Sequence, residues 1–237
     1  MKNVNRWRSA VIAGGLAFGL MTSVSVALAD SDSHVVVPPN STAYGNKYSE
    51  WSAEWWQFVL SIPASENPLF DADGSQCVLG QRGPVWFLVG WFGPGAAMRA
   101  CSVPEGTALF FPVINVVDVN TTTQTAKELR AETAPCLDAV TFLSVVVDGV
   151  PIPKLREKFR VKSEVFAVTL PVDNLFGIDP GTYSPTIDDG YYVMLKPLSV
   201  GPHTLHFEGA SAGCPLIGSP FSVDVMYDIT IVPVRLK

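Results

Sequence analysis

Three nearly unbroken apolar runs, Val85 to Phe92, Thr107 to Val119 and Val140 to Val147, constrain this chain more than anything else in it. Runs of this kind suit β-strands covered on both faces. The last segment reads differently. Phe221, Val223, Val225, Tyr227, Ile229 and Ile231 alternate with Ser222, Asp224, Met226, Asp228 and Thr230, the period of a strand with one face in the core. Glu164 to Leu170, Tyr191 to Leu195 and His203 to Phe207 add shorter strands, and Asp148-Gly149 supplies a hairpin turn. No βαβ alternation, nucleotide-binding glycine loop or internal repeat is present. Many short strands with frequent Gly and Pro turns predict a mainly β fold, an antiparallel β-sandwich or a jelly roll.

Two helices interrupt the strands. The first is predicted from Ser49 to about Ile62, with Ser49 as N-cap, Glu50 at the positive helix start and Pro63 as the stop. Trp51, Trp55, Phe58 and Ile62 recur at helical spacing on one face, widened by Trp56 and Val59. Such a stripe docks a helix onto a sheet, burying ~150–250 Å² per ring. Left exposed, Trp51, Trp55 and Trp56 would instead form a stacking platform for a sugar. The second helix is predicted from Ala126 to about Ala134, opened by a Thr125–Glu128 capping box.

The amino-terminal stretch sets the compartment. Lys2, Arg6 and Arg8 precede an apolar run from Ala10 to Val26, and Ala27-Leu28-Ala29 offers the small-x-small pattern of a signal-peptidase site. The expected division is a signal peptide over 1–29, an extended or mobile lead-in over 30–47, and one β-rich domain over 48–237. The mature chain is then periplasmic or extracellular, with no membrane span. Of 16 basic residues three belong to the signal, so 13 remain against 22 acidic ones, a net charge of −9. That balance argues against nucleic acid and anionic membrane surfaces as partners. Cys77, Cys101, Cys136 and Cys214 lie in the mature part, and an even number in an exported chain reads as two disulfides. Of the three pairings, Cys77–Cys101 brackets a single apolar hairpin-like segment and is preferred, leaving Cys136–Cys214. Their spacing does not suit zinc.

Several phrases occur together along the chain: Glu50-Trp51-Ser52-Ala53-Glu54-Trp55-Trp56-Gln57, Gly83-Pro84-Val85-Trp86-Phe87-Leu88, and Gly201-Pro202-His203-Thr204-Leu205-His206-Phe207. The set resembles a group of exported microbial proteins of unassigned function. The resemblance implies a self-standing exported domain and assigns no residue a role.

Candidate chemistry concentrates on the strand from Gly201. His203, Leu205 and Phe207 share one face, while Thr204, His206 and Glu208 share the other. Pairing with the last strand is expected to set His206 opposite Asp224, with Glu208 nearby. His206, Glu208 and Asp224 are thus the candidate metal ligands, and His203, His206 and Asp224 the candidate catalytic groups. A solvated cross-strand pair is the simpler reading. His34, in the lead-in, carries no signal. Asp71-Ala72-Asp73-Gly74-Ser75 imitates a calcium loop, but Arg82 stands where the twelfth-position acid belongs. Asp188-Asp189-Gly190 is read as a turn entering a strand, with paired carboxylates that could help bind a cation. Glu54, Asp71, Asp188 and Asp189 are the acids available to a hydrolytic pair. Gly209-Ala210-Ser211-Ala212-Gly213 matches a nucleophile-elbow string, but between strands and beside Cys214.

The expected function is an exported β-sandwich that binds a ligand or surface partner, a glycan, an envelope component or a protein, without a coherent catalytic set. The alternative is an exported hydrolase or lyase built on a histidine–carboxylate cluster. No cofactor is predicted, and a divalent metal is the one that these residues would admit.

Overall fold

A strand that is apolar on both faces needs a layer on each side, and this chain provides two. The computed structural model describes residues 35–234, so the signal segment 1–29 and His34 lie outside the described residues. The elements are β1 (Thr42–Ala43), β2 (Asn46–Lys47), α1 (Tyr48–Ser61), β3 (Val85–Phe87), β4 (Ala97–Pro104), β5 (Ala108–Val119) and α2 (Ala126–Asp138). They continue with β6 (Val140–Val147), β7 (Val150–Pro151), α3 (Leu155–Lys158), β8 (Arg160–Lys162), β9 (Phe166–Leu170), β10 (Gly181–Leu195), β11 (Gly201–Ser211) and β12 (Phe221–Val232).

The inner sheet runs β3-β5-β10-β8, with β9 also paired to β10, and the outer sheet runs β4-β12-β11-β6-β7. One core lies between the sheets and takes Phe111, Val113, Tyr191 and Val193 from the inner sheet, and Phe207 and Tyr227 from the outer. A second core lies between the inner sheet and α1, where Phe110, Tyr192 and Met194 meet Trp51, Trp55 and Trp56. Successive residues of β5 and of the second half of β10 therefore point into different cores, which is why residues 108–114 and 191–195 are continuously apolar. The outer sheet buries one face, and β12 alternates accordingly. Among the described residues no helix is long and apolar enough to cross a membrane.

The fold is the expected mainly β sandwich. Each sheet carries one parallel pair, β3 with β5 and β4 with β12. The chain leaves the inner sheet for β4 and returns, so β3 and β5 must run in the same direction.

Several boundaries differ from expectation for identifiable reasons. The run from Val85 is a strand only to Phe87, because side chains then take over its backbone groups. Trp55 Nε1 donates to the Leu88 carbonyl at 2.9 Å, Arg99 to that of Val89 at 2.8 Å, and the Val89 amide donates to Tyr227 OH at 3.2 Å. Helix α2 continues through Pro135 to Asp138, held by burial of Leu137 and by the Cys136 bridge. Lys47, not Ser49, caps α1, its amide donating to Glu50 Oε2 at 2.7 Å. The described part of the lead-in is pinned. The Val37 amide donates to the Met194 carbonyl at 2.9 Å, and β1 and β2 form a hairpin whose turn residues, Tyr44 and Gly45, have φ of 54° and 98°.

Disulfides join Cys77 to Cys101 and Cys136 to Cys214. The first fastens the loop after α1 to β4, and the second fastens α2 to the loop after β11. Their partners are 24 and 78 residues apart. The chain-entropy account then makes the longer bridge worth roughly 1 kcal/mol more than the shorter. Urea unfolding of the Cys77/Cys101→Ala and Cys136/Cys214→Ala pairs should show that order. Equal or inverted losses would contradict it.

Candidate functional site

The three tryptophans of α1 are core residues. Trp51, Trp55 and Trp56 are 6 %, 1 % and 4 % exposed, and each indole N–H is engaged. Trp51 donates to the Ala43 carbonyl and Trp55 to that of Leu88, both at 2.9 Å, and Trp56 to Asp188 Oδ1 at 2.7 Å. No ring is left open for a sugar, so the stacking platform considered from the sequence does not exist on this surface.

Asp188 and Asp189 are not in a turn but in the middle of β10. The glycine after them serves close approach: a Cβ at Gly190 would lie 2.6 Å from Asn115 Cβ. The two carboxyls point to opposite faces. Asp189 accepts from Arg160 Nε at 3.0 Å and from the second guanidinium nitrogen at 2.9 Å. Asp188 is fully buried beneath α1, and its Oδ1 accepts from Trp56 Nε1 and from Tyr192 OH, each at 2.7 Å. Burial outweighs those donors and pushes its pKa up to about 8, so the carboxyl is neutral at physiological pH. Its Oδ2 is buried without a hydrogen-bond partner. Asp189 is thus taken up by Arg160 and Asp188 is sealed beneath α1, so the two carboxyls form no shared metal site.

The histidines are likewise committed. His206 Nε2 meets Asp224 Oδ1 at 2.8 Å, but diagonally: the residue opposite His206 is Met226, and Asp224 lies opposite Glu208. Both side chains are about one third exposed, so the pair is worth little. Among the described residues no three His, Cys, Asp or Glu side chains converge for a metal. The expected His206–Glu208–Asp224 ligand set is therefore reduced to a surface ion pair.

His203 lies between Asp148 Oδ2, 2.7 Å from Nδ1, and Ser199, whose carbonyl and hydroxyl oxygens are 2.8 and 3.2 Å from Nε2. The composition is that of an acyl-transfer triad, but the chemistry is not. With a carboxylate at one nitrogen and a carbonyl at the other, both ring nitrogens donate, leaving no lone pair to take a hydroxyl proton. Partial burial lowers the imidazole pKa, yet Asp148 and Ser199 outweigh it and leave it raised. Ser211 is no nucleophile either: it is 3 % exposed and donates to the Cys136 carbonyl at 2.7 Å. Asp71 accepts from the amides of Gly74 and Gln76 at 3.1 and 2.9 Å, organising a turn rather than a cation loop.

A different surface is concave. The lead-in, anchored where the Lys196 amide donates to the Val35 carbonyl at 2.7 Å, runs opposite α3 and β8. Between them lies a groove of about 630 Å³, lined by Pro38, Pro39, Pro153, Lys158, Arg160 and Lys196 among others. An adjoining hollow of about 300 Å³ shares Pro39, Asn40, Lys158 and Arg160 and adds Lys47 and Lys162. Five basic residues thus line the two, against the single acid Glu157. Arg160 is fixed from behind by Asp189 and Asp138, and Lys47, Lys158, Lys162 and Lys196 all reach the surface. Sequence reasoning missed this site because its residues come from four separated segments. The one local signal was Lys158-x-Arg160-x-Lys162.

No protein-family model matches the chain, and no curated protein or solved structure matches it either.

The buried acids carry a pH signature. Burial and the neighbouring Glu132 carboxylate push Asp118 up to about 6, and burial, helped by the Asp189 charge, pushes Asp188 up to about 8. Folded protein therefore holds protons that the unfolded chain releases near pH ~4, and stability falls as pH rises from there to about 8. His203 acts in the same direction, since a raised imidazole pKa stabilises below its unfolded value and loses that effect as pH rises through the folded one. Melting temperature should fall between about pH 5 and pH 8.5, and Asp188→Asn, which keeps both acceptor bonds at Oδ1, should flatten most of the fall. A melting temperature that climbs over this window would contradict the assignment.

Proposed function

We propose that the protein is an exported binding module, with no catalytic duty, whose ligand occupies the groove between the lead-in and β8. The observation that carries this reading is the groove itself. Its 630 Å³ falls in the ~300–1,000 Å³ range of small-ligand sites, and it is walled by a disulfide-stapled sandwich. The two disulfides fit an oxidising, extracytoplasmic compartment. His203, His206, Asp188 and Asp189, which would have served a hydrolase, already have structural partners. The cleft beside Arg99 and Tyr227 holds only about 10 Å³, room for one water.

A thermal-shift screen of the oxidised mature protein against an oligosaccharide panel tests the reading. A ligand at ~100 times its Kd stabilises by about 2.7 kcal/mol, which raises Tm by about 5–10 °C at this size. That shift should vanish in Asn40→Trp, which fills the groove, and survive in Trp51→Phe. A panel that leaves Tm unmoved, or a hit indifferent to Asn40→Trp, would contradict it.

A further inference from the structure

Charge is distributed unevenly over this protein, and the groove is where it reverses. A mature chain with net charge −9 places five of its 13 basic residues around two adjoining hollows. At physiological salt, charges beyond ~8 Å are largely screened, so a ligand in the groove meets the lysines rather than the acidic remainder. Taking the groove as the binding site proposed above, we infer that its ligand is a short acidic oligosaccharide, a glycan that carries carboxylates along its length.

Three features point to that class. The cations are spread, not convergent. Arg160 and Lys162, two residues apart on β8, are separated by about 6.6 Å of strand, and Lys47 and Lys196 approach from other elements. A line of separated charges matches a repeating anion better than a single compact one. The cations presented to a ligand are mostly lysines, point charges without the planar fork that grips phosphate bidentately. The one arginine present has its guanidinium turned onto Asp189 and Asp138. Finally, Pro38, Pro39 and Pro153 add rigid apolar surface to the same groove, suited to the C–H faces of sugar rings. The acidic surface elsewhere excludes a long, dense polyanion: nucleic acid, with a charge every ~1.7 Å of duplex, would overrun the groove onto repelling surface.

The test is titration calorimetry of the oxidised mature protein with a short oligogalacturonate, its methyl-esterified counterpart and inorganic polyphosphate, at low and physiological salt. The inference expects the oligogalacturonate to bind, to weaken as salt rises, and to lose at least about fivefold affinity in Lys47→Glu/Lys162→Glu. Both positions are exposed, and circular dichroism confirms that the variant folds. If charge reversal disturbs folding, Lys162→Gln and the salt dependence of the unaltered protein decide instead. Equal affinity for the methyl ester would overturn the charge assignment yet leave the groove reading intact, provided Asn40→Trp abolishes that binding. Tighter binding of polyphosphate than of oligogalacturonate would overturn the glycan assignment. Absence of binding to any of the three would overturn this inference, whereas the groove reading falls only if the wider panel is also silent.

Discussion

The inner sheet has no solvent face, and the rest of the structure depends on that constraint. Phe110, Tyr192 and Met194 need cover on the side away from the outer sheet, and α1 is the cover. Its three indoles bury ~150–250 Å² each, about 11–19 kcal/mol in all at ~25 cal/mol per Å², an upper bound. A domain of this size has only ~5–15 kcal/mol of net stability. Swinging the tryptophans outward to meet a ligand would therefore cost as much as unfolding. It would also strip Asp188 of the Trp56 donor in a buried site. The most eye-catching motif of the chain is structural because of what lies beneath it.

Buried polar groups follow the same logic of satisfaction without exposure. Arg99, 3 % exposed, donates to the carbonyls of Asp71, Pro68 and Val89 and to Tyr227 OH at 2.7–2.8 Å. The rings of Trp91 and Tyr227 lie 5.9 and 5.5 Å from the guanidinium carbon. One side chain thereby fastens the turn after α1, the loop after β3 and strand β12 together. Asp189 binds Arg160, and Asp188 avoids its charge by keeping a proton. His203 and His206 also have partners within the chain, and basic residues from the lead-in, α3, β8 and the end of β10 line the concave surface.

Legibility in the sequence tracked how local each cause was. β6 matched its apolar run from Val140 to Val147, β12 its alternation, and α2 its Thr125–Glu128 capping box, because those signals lie within the element. The preferred disulfide pairing is the one found, but the segment that Cys77 and Cys101 bracket is not a hairpin, because β3 and β4 lie in different sheets. Strand β4 was missed because Arg99 occupies an inward position among Ala97, Cys101 and Val103 and breaks the apolar period. Asp188-Asp189-Gly190 looked like a turn because its explanation is distant: Trp56 is 132 residues from Asp188 in sequence, and Asn115 crowds Gly190 from the neighbouring strand. The His206–Asp224 contact was foreseen with the register displaced by two residues, which no feature of either strand specifies. The groove was invisible for the most basic reason: its lysines become neighbours only once the lead-in is pinned beside β10.

The protein divides into a tryptophan-clad core that holds the fold and a lysine-lined groove, which is the proposed binding surface. Hydrogen exchange of the mature protein, with and without oligogalacturonate, tests that division most directly. The α1 amides should exchange only through global unfolding in both states, while amides of residues 40–41, 157–162 and 196 gain protection when the oligosaccharide is present. Ligand-induced protection centred on Trp51, Trp55 and Trp56, with the groove amides unchanged, would contradict it.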